Sequence, residues 1–186
     1  MRELPDCVHA QVPRKFANAI SPVQPLSLEV VKVMPSTQVD VLTQIRAAFP
    51  PEPLRFEGAL TGGLDGGAYR EHVEGKTWEE LDRKYVLSRS DVLSFLDMPH
   101  LVAVLPVYLR SLVEDGTRTP VPDTMLLVLN RKNQARFEEL VSALDPAQRA
   151  AVVAVLDVFA ATESGQPADA ARVALERWKA HLSTGS

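Results

Sequence analysis

Residues 77–115, TWEELDRKYVLSRSDVLSFLDMPHLVAVLPVYLRSLVED, limit the folds open to this chain more than any other stretch. They combine a helix start, a Trp anchor, a Ser-Phe-Leu turn and an apolar helix with an internal proline. In that helix Leu101, Val102, Val104, Leu105, Tyr108, Leu109 and Leu112 nearly encircle the axis. A helix apolar on most sides is usually a central one. The pattern predicts a helix from Pro99 to about Glu114, with Pro99 in the first turn, where its missing N–H costs nothing. Pro106 removes one intrahelical hydrogen bond and predicts a kink near Val102.

The flanking sequence supplies the partners such a helix needs. Ser36 or Thr37 can cap a helix through Phe49, with Val39, Leu42, Ile45 and Phe49 on one face. Pro50, Pro51 and Pro53 stop it. Residues 50–76 read as loop, and the glycine run TGGLDGG, 61–67, as a mobile turn. Thr77 and Glu80 form a capping-box pattern for a helix through Tyr85, which points Trp78, Leu81 and Tyr85 inward. Ser90 can cap a short turn over 91–96. Asp123 can cap a helix over 124–129, although LLVL suits a strand equally. Asp145, Pro146 and Gln148 align cap, first-turn proline and box partner for a helix through Ala161, with Val152, Val155, Leu156 and Phe159 inward. Residues 164–167 are a break, and a last helix over 168–181 carries Val173, Leu175 and Trp178. The expected fold is mainly α: one compact helical domain of about six helices, residues 36–186. Residues 1–35, interrupted by Pro5, Pro13, Pro22, Pro25 and Pro35, read as an irregular or partly extended N-terminal extension. Only residues 26–34 there have strand-like character.

Composition narrows the class. With 186 residues, 46% apolar and 24% charged, the chain can bury a full core. Cys7 is the only cysteine, so no intrachain disulfide can form. No apolar run approaches the roughly 18 residues of a membrane span, and Arg2, Glu3, Pro5 and Asp6 interrupt any signal-peptide core. The expectation is a cytoplasmic protein with no membrane partner. The net charge is −4, and residues 50–80 hold seven acidic against three basic side chains, so this segment accounts for the imbalance. The pairs Arg14-Lys15, Arg83-Lys84 and Arg131-Lys132 are too sparse for a nucleic-acid stripe, so no nucleic-acid partner is expected.

A search for catalytic chemistry returns little. Gly75-Lys76-Thr77 opens a helix as a phosphate loop does, but the earlier glycine such a loop requires is Arg70, and four glutamates surround it. The glycine run lacks dinucleotide spacing. His9, His72, His100 and His181 form no metal-binding pair at helical spacing, and Glu71, His72 and Glu74 read as surface residues. Ser88, Ser90 and Ser94 lack a nucleophile elbow. Asp91 and Asp97 read as cap and turn residues, and Trp78 and Trp178 as core anchors. No catalytic residue, metal site or cofactor is expected.

In order along the chain, Ala48-Phe49, Trp78 with Leu81, Ser94-Phe95-Leu96, Leu105-Pro106-x-Tyr108-Leu109, and Arg136-Phe137-x-x-Leu140 before Gln148 form a signature. It resembles that of a family of small bacterial proteins of unknown function, over about residues 39–160. The resemblance brings no activity with it. Many small acidic bacterial proteins of this build neutralise toxins as immunity proteins, which is an analogy of build. The leading expectation is a protein-binding module, of immunity-protein type, that occludes a basic partner such as a toxin through Glu71, Glu74, Glu79 and Glu80. The alternatives are a small-ligand protein or enzyme with a pocket near Pro106, lined by Trp78, Asp97, His100 and Tyr108, and a structural or oligomer-forming module.

Overall fold

The computed structural model describes residues 36–56 and 64–184. The readings of residues 1–35 lie outside these, as does the 61–63 part of the glycine run. The chain divides into two units, Met1–Val33 and Met34–Ser186, and every element below belongs to the second. In order these are α1 (Ser36–Ala48), α2 (Leu64–Val73), α3 (Arg83–Ser88), a 3₁₀ turn (Ser90–Ser94), α4 (Met98–Asp115), a second 3₁₀ turn (Gly116–Arg118), α5 (Val121–Leu129), α6 (Gln134–Ala143), α7 (Pro146–Thr162) and α8 (Gly165–Thr184). The described residues are mainly helical and contain no strand. They hold eight α-helices where the sequence suggested about six.

The helix read as central is central. α4 packs against α1, α3, α5, α6 and α7, and its buried side chains include Leu101, Val104, Leu105, Pro106, Tyr108, Leu109 and Leu112. Asp97 starts it, its carboxylate accepting the His100 N–H at 3.1 Å. Asp97 is therefore the helix cap rather than a plain turn residue. At the other end Arg118 donates to the carbonyls of Glu114 and Asp115, at 2.6 and 2.9 Å. Helical structure continues across Pro106.

Several local readings shift. In α1 the buried face is Gln38, Val41, Ile45, Ala48 and Phe49, while Val39 is 50% exposed. Val41, which the sequence reading did not place on this face, stands one turn before Ile45 and is buried in place of Val39. The glycine run does not end as a turn: α2 begins within it. Tyr69 and Val73, four residues apart, are both fully buried, and that burial outweighs the roughly 1 kcal/mol that each helical glycine costs. Thr77 N–H and hydroxyl both donate to Glu80 Oε2, at 2.8 and 3.0 Å. This half of the capping box closes a turn rather than starting a helix. Trp78 Nε1 donates to Phe49 O at 2.8 Å, pinning that turn to the end of α1. The chain then restarts at Asp82, which accepts the Tyr85 N–H. Val86 and Leu87 take the inward positions of α3, and Tyr85 is half-buried.

α5 resolves the helix-or-strand choice at 125–129 as helix. It begins at Val121 with Pro122 in the first turn, so Asp123 lies inside that turn instead of capping it. α6 was not foreseen, although Asn133 caps it and Phe137, Leu140 and Val141 form its buried face. α7 has the full Asp145–Gln148 capping box that its sequence announces. α8 starts at Gly165, earlier than expected, and lays Ala168, Ala171, Ala174, Leu175 and Trp178 inward, leaving Val173 59% exposed. The second 3₁₀ turn depends on Gly116, which has φ +57. A Cβ there would fall 1.9 Å from Glu163 Oε1, and Glu163 accepts the Thr117 hydroxyl at 2.8 Å.

The helical start of α2 is checkable at Gly67, which has no atom within 4 Å of an added Cβ and no positive φ. Gly67→Ala is expected to stabilise the fold by about 0.5–1 kcal/mol in urea unfolding. A neutral or destabilising result would return the segment to a turn.

Candidate functional site

The four side chains nominated around Pro106 do not share a hollow. On α4, Pro106 falls about 120° around the axis from His100 and about 160° from Tyr108, at 100° per residue. Tyr108 is fully buried, its hydroxyl donating to Val86 O at 3.1 Å and lying 3.3 Å from the Tyr69 hydroxyl. His100 is buried against the Phe56 ring, 4.8 Å between centroids, with Nδ1 beside the Asp97 carboxylate. A hollow of about 280 Å³ does lie beside Pro106, between Phe49, Leu54, Val102 and Gln148. Of the four nominated residues only Trp78 reaches it.

The acidic set is exposed or half-exposed but largely engaged. Glu74 takes two bonds from the Arg70 guanidinium, at 2.7 and 2.8 Å, and this pairing holds its carboxyl below the usual range. Glu79 pairs with Arg46 at 2.6 Å. Glu80 is spent on Thr77, whose backbone and hydroxyl bonds lower its carboxyl likewise. Glu71 is exposed.

Among the described residues no three His, Cys, Asp or Glu side chains gather as a metal site. No described helix is long and apolar enough to cross a membrane. The Gly75-Lys76-Thr77 segment cannot cradle phosphate. Its N–H groups go to Leu54 O, Val73 O and Glu80, and Lys76 Nζ bonds His72 O.

A surface that the sequence did not nominate lies on the far side of α5. Leu127 is 68% exposed and forms a shared wall of two hollows. The larger, about 400 Å³, runs between α5 and α8 past Leu126, Pro167 and Ala170 to Lys132 and Arg177, with Asp123 also on its wall. Val173 stands on the same stripe of α8 as Ala170 and Arg177, at the i+3 and i+4 spacings that make helical neighbours. The second hollow, about 270 Å³, is lined by Ser94, Arg131, Lys132, Asn133 and Arg136. Arg177 holds the region together. It donates to Arg131 O at 2.5 Å, Asn130 Oδ1 at 3.3 Å and Gln134 Oε1 at 2.6 Å, with its guanidinium 3.8 Å from the Phe137 ring centre. Trp178 Nε1 adds a 2.8 Å bond to Leu129 O.

The sequence signal for this surface was the Arg131-Lys132 pair just before an Asn-capped amphipathic stretch. It reads as sparse until α6 brings Arg136 beside it. The exposure of Leu127 within LLVL had no sequence signal, because every position of that run is apolar. No protein-family model matches the chain, and no curated protein or solved structure was found to be similar to it.

The buried tyrosine pair gives a pH-dependent prediction. Burial pushes the Tyr69 phenol up to about 12, and raises Tyr108 as well, with Tyr69 adding to its shift. Both groups are harder to ionise folded than unfolded. Stability should therefore hold below pH 10, the ordinary phenol value, and fall as pH rises from 10 towards 12. Urea unfolding across that window should show the loss, and the double variant Tyr69→Phe, Tyr108→Phe should flatten it.

Proposed function

We propose that this protein is a binding module that docks an acidic, partly apolar segment of another protein along the α5–α8 groove. The observation that supports this most is that Leu127, 68% exposed, walls this groove, while Val173, 59% exposed, stands one turn along α8 from Ala170 of its lining. Its rim carries Lys132 and Arg177. Exposed apolar groups beside a concave surface with a charged rim are what a helix-in-groove or extended-peptide contact uses. On a chain of net charge −4, the local positive rim selects for an acidic partner by complementarity.

The immunity-type reading, in which Glu71, Glu74, Glu79 and Glu80 occlude a basic toxin, draws less support from the geometry. Three of those carboxylates already have partners within the chain, so a basic partner would have to compete with Arg46, Arg70 and Thr77.

Photo-crosslinkers placed at Leu127 and at Glu71 in the full chain separate the two surfaces. The segment captured at position 127 is then synthesised and titrated against the purified protein. Leu127→Asp with Val173→Asp should weaken that peptide at least about tenfold, with salt-dependent binding and unchanged thermal unfolding. Binding that survives both substitutions but is lost in Glu71→Lys with Glu80→Lys would transfer the contact to the acidic face.

A further inference from the structure

We infer that a second copy of this chain closes the α5–α8 groove, its α5 lying antiparallel across the first about a two-fold axis near Leu127. Self-association then regulates docking, because the groove opens only when the copies part. The inference rests on the reading of this groove as a docking surface and names what covers it in the absence of another partner.

The face has an apolar middle. Leu127 walls the groove, and Val173 stands on the neighbouring stripe of α8. Phe95, 58% exposed, follows Ser94, which shares the second hollow with Leu127. Three of the four large apolar side chains that stand exposed among the described residues thus sit on α5 or on elements packed against it. The fourth is Val39 on α1. Apolar groups this exposed add little to the fold, and covering them together favours association.

The charges fit a second copy in one orientation. Asp123 lies in the first turn of α5, and Lys132 just past its end. Both are exposed, and both line the groove that Leu127 walls. Neither has an ion pair or side-chain hydrogen bond with another described residue. Arg177 adds a cation at the Lys132 end, where it bonds Arg131 O. Of the other charges on α8, Asp169 is paired with Arg172, and Glu176 does not line the groove. The groove therefore runs from acid to base across an apolar centre. Such a surface matches itself when turned about a two-fold axis through that centre. Leu127 then meets Leu127 of the second copy, and each Asp123 meets the Lys132 end of the other. A parallel pairing would set Asp123 against Asp123 and Lys132 against Lys132, which repulsion opposes. The second copy's α5 is thus itself an acidic, partly apolar segment of the kind the positive rim selects. An exposed ion pair contributes little alone, so the apolar middle supplies the affinity and the charges set the register.

The test is sedimentation velocity of the full chain from about 1 to 500 μM at low salt. The expected result is a reversible monomer–dimer equilibrium. Leu127→Asp should weaken it at least about tenfold. Asp123→Lys and Lys132→Asp should each weaken it about tenfold, since each sets like charges face to face twice. The double variant Asp123→Lys, Lys132→Asp should restore it. Thermal unfolding checks that every variant is folded. The restoration is peculiar to an antiparallel two-fold contact, because an acidic peptide in the groove would lose affinity with Lys132→Asp and not regain it. The inference is overturned by a chain that stays monomeric throughout, by a dimer indifferent to Leu127→Asp, or by a double variant no better than the single ones. A monomeric chain whose crosslinker at Leu127 still captures another protein overturns this inference and leaves the docking reading standing. A chain that dimerises as expected and captures only its own copies at that position does the reverse.

Discussion

A helix buried along most of its surface has to settle most of its polar groups without water, and α4 sets that condition for the whole domain. Its first N–H groups are met by Asp97 or absent at Pro99, and its last carbonyls by Arg118. Ser111, fully buried, spends its hydroxyl on Asp115. Tyr108 sends its hydroxyl to Val86 O, where α3 turns away. Of these, the bonds of Arg118 and Tyr108 tie a neighbouring element to the helix. The loops that enclose α4 are thus placed by backbone satisfaction, while α1, α6 and α7 are placed by apolar packing.

The same rule explains the two tryptophans. Both indole N–H groups donate to carbonyls at helix ends, Phe49 O after α1 and Leu129 O at the end of α5. Helix C-termini leave carbonyls unpaired, and a buried one needs a donor that brings apolar bulk with it. Trp supplies both.

The sequence showed the class of fold, the central helix and the α7 start, because periodicity and capping chemistry agreed there. It misplaced elements where two local rules competed. Glycine content argued against α2, yet Tyr69 and Val73 had a buried place to go. The Thr77–Glu80 pattern was real as hydrogen bonds but not as a helix start, since Trp78 was committed to Phe49. In α1 the three-and-four spacing was counted from Val39, whereas the buried face runs through Val41 and Ile45. Of the candidate sites, the acidic segment was visible as composition but its internal pairing was not. The cationic hollow was hidden because its members come from a turn, a helix end and a helix start that only tertiary structure joins.

Arg177 has a consequence for selectivity. One side chain on α8 grips the end of α5 and the start of α6 at once, so the groove between α5 and α8 is riveted at that end. A fixed gap works as a gauge: it rewards guests of the right girth and refuses bulkier ones, with little yielding by the host. In the docking proposed for this groove, such a host would lose little of its own disorder on binding, and its shape would discriminate alongside its positive rim.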